Sequence, residues 1–227
     1  MRKAELLLLV SPALADKYYQ PIVNTIKKYN IDTPLRQAHF LAQLLHESGN
    51  LKYNQEIASG SSYEGRKDLG NTQVGDGMRF KGRGPIMLTG RYAYKSFGDY
   101  IGKDLISHPE LVANDPYIGM LAAGWFWESR KLNGYADKDD VLTITKLING
   151  GTNGLRDRIN KLNKAKGVIK GLEQALEEIQ NVTNQATENV TNQATETVKN
   201  NPVISVGIAF AGVILIYALI NTLTTVK

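Results

Sequence analysis

Residues 33–49, TPLRQAHFLAQLLHESG, constrain this chain more than any other stretch, because they carry both ends and the buried face of one helix. Thr33 is a capping residue, and Pro34 suits the first helical position, where no backbone N–H is needed. Leu35, Ala38, Leu41, Ala42 and Leu45 recur at three- and four-residue spacing and form one apolar face. Gly49 supplies the left-handed residue that commonly ends a helix. The pattern predicts a helix over 34–47 with Glu47 in its last turn, and a second glutamate, Glu56, follows nine residues later.

A carboxylate at a helix C-terminus lies near the partial negative charge of the unpaired carbonyls, which disfavours its ionised form. Partial burial acts in the same direction, and the two together give the protonated state a general acid needs at neutral pH. Glu47 and Glu56, on either side of a glycine turn, are therefore candidates for an acid and a base. From Ile57 to Gly84 the chain is rich in glycine and polar residues without periodicity, a length more often functional than idle. It contains Glu64, the alternative base. Arg79, Lys81 and Arg83 alternate, and in an extended segment they would project from one face. Gly82 and Gly84 allow close backbone approach to a ligand, although the Lys-Ser/Thr ending of a phosphate loop is missing.

The 227 residues are 42% hydrophobic, enough for one sizeable core and an appendage. Cysteine is absent, which excludes disulfides, thiolate metal sites and a thiol nucleophile. His39, His46 and His108 lack metal-ligand spacing. His39 and His46 read as packing and supporting groups, and no metal or other cofactor is expected. Residues 1–170 hold 25 Lys and Arg against 17 Asp and Glu, whereas residues 171–227 hold 2 against 5. A basic globular part suits an anionic polymer such as bacterial cell wall. Nucleic acid is the poorer match, since the basic residues form no dense stripe interleaved with aromatics.

The N-terminus, MRKAELLLLVSPALAD, imitates a signal peptide, but its apolar run is too short and Glu5 interrupts the basic region. A short helix followed by a second one beginning at Pro12 is expected instead, its apolar face (Tyr18, Ile22, Val23, Ile26) reaching Tyr29 before Asn30 closes it. Residues 85–100, 115–130 and 141–148 read as further helices. Trp125, Phe126 and Trp127 cannot share one helical face, so core packing is favoured for at least two of them. Asn149 of NGG and Arg158 of RDR are candidates for contacts with a sugar polymer. Leu172, Leu176, Ile179, Val182, Ala186, Val190, Ala194 and Val198 form a narrow seam, and NVTNQATE occurs twice in succession. Residues 171–202 therefore read as a helical stalk or loose coiled coil, with an unstructured polar linker as the alternative. Val203 to Leu223 contains no charge and meets the length of a bilayer span. Gly207 and Ala211 are a small-xxx-small pair through which such spans pack, so self-association through stalk and span is allowed for.

Read together, DTPLRQAHFLAQLLHESG, YEGRKDLGN, GDGMRFKGRGPIMLTG, HPELV, GWFW and NGGTNGLRDR resemble glycoside hydrolase family 19, the chitinase-like fold that includes phage endolysins. The resemblance spans most of residues 1–170. It implies a mainly α, two-lobed, lysozyme-like domain, to which the chain adds a helical stalk and one transmembrane helix. It assigns Glu47 as general acid and Glu56 as general base of an inverting hydrolysis, with Arg83, Thr89, Tyr92, Asn149 and Arg158 lining the cleft. Met87 and Ala93 depart from the family's usual glutamine and asparagine, removing polar contacts to sugar or water. The implied protein is a membrane-anchored lysozyme acting on peptidoglycan glycan strands, held in a bilayer by residues 203–223 on a phage virion or bacterial envelope. A chitinase and a non-catalytic, membrane-anchored sugar-binding or virion protein are the alternatives.

Overall fold

The computed structural model describes residues 1–200. They form α1 (Lys3–Leu7), α2 (Pro12–Lys28), α3 (Pro34–Glu47), α4 (Asp76–Arg79), α5 (Arg91–Ile101), α6 (Leu111–Asn114), α7 (Pro116–Ser129), α8 (Leu132–Ala136), α9 (Val141–Asn149) and α10 (Leu155–Asn200). Strands are absent among the described residues, where isolated bridges pair Arg83 with Gln55 and Leu88. Residues 3–169 make one compact unit, and the chain from Lys170 belongs to a second.

Helix α3 has the predicted bounds, and the Thr33 hydroxyl accepts the Arg36 N–H at 3.2 Å. It is more deeply set than a one-faced helix, for every residue from Gln37 to Leu45 is buried. Each of its polar members has at least one partner, although His39 Nδ1 and Gln43 Nε2 are buried without one. Gln37 donates to the Asp32 carbonyl, His39 Nε2 lies 2.7 Å from Asp139 Oδ1, and the Gln43 carbonyl oxygen accepts from Arg158.

The main hydrophobic cluster wraps this helix with Tyr18 and Ile22 of α2, Trp127 of α7, Ile144 of α9, and Leu162 and Ile169 of α10. A second cluster, containing Phe80, Leu88, Tyr94, Phe97, Leu105 and Val112, forms the other side of the unit. Helix α7 joins the two, since Leu121 and Trp125 pack against both. Asp115 caps it by accepting from the N–H groups of Tyr117 and Ile118. Trp127 is core, edge-on to Phe40 at 5.3 Å, with its indole N–H donated to Asn133. Trp125 and Phe126 are partly buried.

The helix expected over 85–100 begins only at Arg91. Before it the backbone turns back on itself, with reciprocal Arg83 and Leu88 hydrogen bonds of 3.1 and 2.8 Å and positive φ at Gly84, Met87 and Gly90. Pro85 and the apolar run after it look helical in sequence, but those left-handed residues make a helix impossible there.

In the second unit, residues 170–200 are helical throughout, as the helical of the two readings of this stretch expects. The seam is exposed at Leu176, Ile179, Val182 and Val190. Val182, Ala186, Val190 and Ala194 recur every fourth residue, so each step moves about 40° round the helix and the stripe winds away from any single straight partner. Thr183, Thr187, Thr191 and Thr195 each donate a hydroxyl to the carbonyl four residues back, at 2.7–2.8 Å. This local bonding keeps the polar NVTNQATE repeat compatible with a helix. No helix among the described residues is long and apolar enough to cross a membrane. The apolar run 203–223 lies outside the described residues.

Candidate active site

The chain leaves α3 through consecutive left-handed residues, Gly49, Asn50 and Leu51, with φ of 55°, 62° and 64°. Buried Ser48 makes this exit possible. Its hydroxyl donates to the Leu44 carbonyl and accepts the Leu51 N–H, substituting for the lost helical bonds. Glu47, on the last turn, is held from the far side by Arg158 of α10, whose Nη2 donates to Glu47 Oε1. The guanidinium is 1% exposed and the Glu47 side chain 19%. The acid candidate thus lies between two opposed influences, the negative end of its own helix and a buried cation that the sequence pattern did not reveal.

Glu56 is placed by a different device. Its backbone N–H donates to the Gly82 carbonyl, and its Oε2 accepts the Gly82 N–H at 3.2 Å, docking the segment onto the 82–88 turn. Tyr63 donates its hydroxyl to the other oxygen at 3.0 Å. Burial, reinforced by this carboxylate, raises the Tyr63 phenol above its ordinary value, so it remains a donor at neutral pH. Tyr63 was missed in the sequence because nothing in YEGR separates it from Glu64.

Two adjoining depressions share Glu47, Tyr63, Met87 and Thr89. The smaller, of about 430 Å³, is also lined by Glu56, Tyr53 and Ile57. The larger, of about 600 Å³, is lined by Tyr92, Ala93, Trp125, Phe126, Arg130 and Asn149 among others. Thr89 donates its hydroxyl to the Met87 carbonyl at 2.8 Å, and the Asn149 amide donates to the Asn153 carbonyl at 3.3 Å. Thr89, Tyr92 and Asn149 therefore reach the cleft, as do Met87 and Ala93.

Two residues expected to line the cleft do not. Arg83 is 8% exposed and spends its guanidinium on Gln55, the Arg79 carbonyl and the Tyr94 hydroxyl. Burial pushes that phenol up to about 12. Arg158 lies beneath Glu47 in the core. Both act behind the surface, bracing the segments that carry the two carboxylates. Nor do Arg79, Lys81 and Arg83 share a face. Arg79, in α4, donates to the Ile106 carbonyl, and Lys81 donates to the Ala58 carbonyl. Glu64 also has a structural task, its two oxygens accepting the N–H groups of Gly75 and Gly77 at 2.7 and 2.8 Å. It lines neither depression.

His46, one residue before the acid candidate, holds Asp157 at 2.6 Å, and His39 is the buried partner of Asp139. No group of three or more His, Asp or Glu residues among those described is arranged to hold a metal ion.

In this arrangement a carboxyl at a helix end and a second on a docked loop line the same depression, the residue types that acid–base cleavage of a glycosidic bond requires. The family model of class I chitinases matches residues 42–144, which include both carboxylates and the turn between them. A glycosyl hydrolase family 19 domain-containing protein of Haemophilus influenzae is 30% identical over 180 residues, 66% of this chain and 88% of that protein. An acidic 27 kDa endochitinase of Solanum lycopersicum is 40% identical over 136 residues, but the chain spans only 52% of its length. Among solved structures, chitinase C from Streptomyces griseus HUT6037 has the same fold, with a TM-score of 0.59, 23% identity and 74% of each chain covered. With its carboxylates placed and its match covering nearly all of the bacterial relative, the chain belongs to glycoside hydrolase family 19.

Proposed function

We propose that this glycoside hydrolase cleaves β-1,4 bonds of peptidoglycan glycan strands by single-displacement hydrolysis with inversion. Glu47 protonates the leaving glycosidic oxygen, using the oxygen not bound to Arg158. Glu56 takes a proton from the water that attacks the anomeric carbon from the opposite face. The observation that carries this assignment is that Glu47 and Glu56 are the carboxylates lining the smaller depression. Tyr63 and the Gly82 N–H hold Glu56 oriented by bonding both its oxygens.

The excess of 25 basic over 17 acidic residues in 1–170 supports an anionic wall polymer as substrate. Chitin is the second reading, because plant relatives of partial length are named endochitinases. Reducing ends released from purified sacculi and from N-acetylglucosamine oligomers, compared for the same preparation, separate the two. Binding to either without turnover would favour a non-catalytic sugar-binding protein. Residues 203–223 are proposed to hold the enzyme in a bilayer, on a phage virion or a bacterial envelope. Extraction by detergent but not by salt tests that part, and release by salt alone would refute it.

A further inference from the structure

We propose that Gln43 is a positioning residue for the acid, setting through Arg158 how much of that guanidinium's charge reaches Glu47. The inference rests on the assignment of Glu47 as acid. Gln43 and Glu47 are four apart on α3 and so lie on the same face, one turn above the other. Arg158 enters between them from α10, donating Nη1 to Gln43 Oε1 and Nη2 to Glu47 Oε1. Gln43 is 0% exposed and Arg158 1%, so neither exchanges these contacts for bulk water. The planar guanidinium has fixed directions for its donors, and an acceptor on one nitrogen fixes where the other points. Gln43 therefore decides which Glu47 oxygen is occupied, leaving Oε2 for the cleft.

The same contact sets an electrostatic balance. Gln43 offers Arg158 only the partial negative charge of an amide oxygen, so most of the positive charge, but not all of it, remains available to Glu47. Other charged or titratable groups around Glu47 are His46 on its own helix, Asp157 and Lys161 on α10, and Glu56, Tyr63, Asp68 and Arg130 around the depressions. Among the described residues none of these pairs with the Glu47 carboxyl, and Arg158 is its paired charge.

Two variants of nearly the same volume move this balance in opposite directions. Gln43→Glu puts a second carboxylate on the guanidinium and reduces the cation's hold on Glu47. The alkaline limb of the kcat/KM profile, which reports loss of the acid's proton, shifts to higher pH. Gln43→Met removes the acceptor, so Arg158 leans wholly on Glu47. Its alkaline limb shifts to lower pH, and kcat at neutral pH falls about 10- to 100-fold, the scale of a small misplacement of a catalytic group.

The measurement is the pH–rate profile of full-length parent and both variants in detergent on one soluble glycan oligomer, with thermal unfolding recorded alongside. Gln43→Glu keeps an acceptor for Arg158 and carries the test if Gln43→Met fails to fold. Limbs that move in opposite directions, or Gln43→Glu alone moving upward, support the proposal. Unmoved limbs in folded variants overturn it, whether activity is retained or falls only with stability. A folded parent inactive on wall and chitin oligomers would instead overturn the catalytic reading itself.

Discussion

Gly124 is where α7 crosses α2, and replacing it with alanine tests how tightly the helix behind the cleft is seated. A Cβ there would meet Tyr29 Cδ2 at 2.2 Å, Tyr29 Cε2 at 2.4 Å and Thr25 Cγ2 at 2.6 Å. Comfortable carbon–carbon contact needs about 3.5 Å, so the two helices would have to separate by roughly 1 Å or the ring would have to leave. Tyr29 is 2% exposed and Thr25 0%, so neither has an open direction to move in. Overpacking of this kind costs about 3 kcal/mol at the upper end, and alanine returns about 1 kcal/mol in helix propensity. The expected net loss of about 2 kcal/mol lowers Tm by roughly 4–8 °C for a unit of this size. Gly167→Ala is the control, since nothing lies within 4 Å of its Cβ position, and it should gain rather than lose stability. Thermal and urea unfolding of both variants provide the comparison. A Gly124→Ala variant as stable as Gly167→Ala would refute the packing argument.

Burial holds the His39 imidazole below its ordinary range, against the opposing pull of Asp139. With the folded value depressed, its stabilising contribution is complete above the unfolded value of about 6.5 and is lost as pH falls through the folded one. Urea midpoints should therefore fall between pH 7 and 5, and His39→Gln should flatten that slope. Burial raises Asp139, but Lys166 and His39 outweigh it and hold the carboxyl below the ordinary range, so a further loss of stability appears under about pH 4. Asp115→Ala removes the acceptor for two N–H groups at the start of α7 and should cost about 1 kcal/mol, measurable by urea unfolding.

Local signals were reliable where the chain itself supplies both the cap and the apolar face. Thr33-Pro34, Asp115-Pro116 and the left-handed Gly150 after α9 mark ends that need no tertiary information. The turn at 83–90 was not legible, because its bonds join Arg83 to Leu88 and Gly84 to Asn54 across the chain. Arginine was the hardest residue to place. Arg83 and Arg158 look like surface cations in sequence, yet both are buried, bonded to partners 4 to 115 residues away. Thr89, Tyr92 and Asn149 could be placed at the cleft because TGRY and NGG match motifs of the family the sequence resembles, and all three line the larger depression. Tyr63 had no such marker, and its role follows only from the position of Glu56.

The most direct measurement is reducing-end release from purified sacculi and chitin oligomers by the full chain and its Glu47→Gln, Glu56→Gln and Glu64→Gln variants. Losses of about 10²- to 10⁴-fold are expected for the first two, the scale of general acid–base catalysis. Near-parental turnover is expected for Glu64→Gln, whose side chain keeps an oxygen for one of the two glycine amides. Loss at Glu64 with survival at Glu56, or a folded parent that releases nothing from either substrate, would contradict the assignment of Glu47 and Glu56 as acid and base.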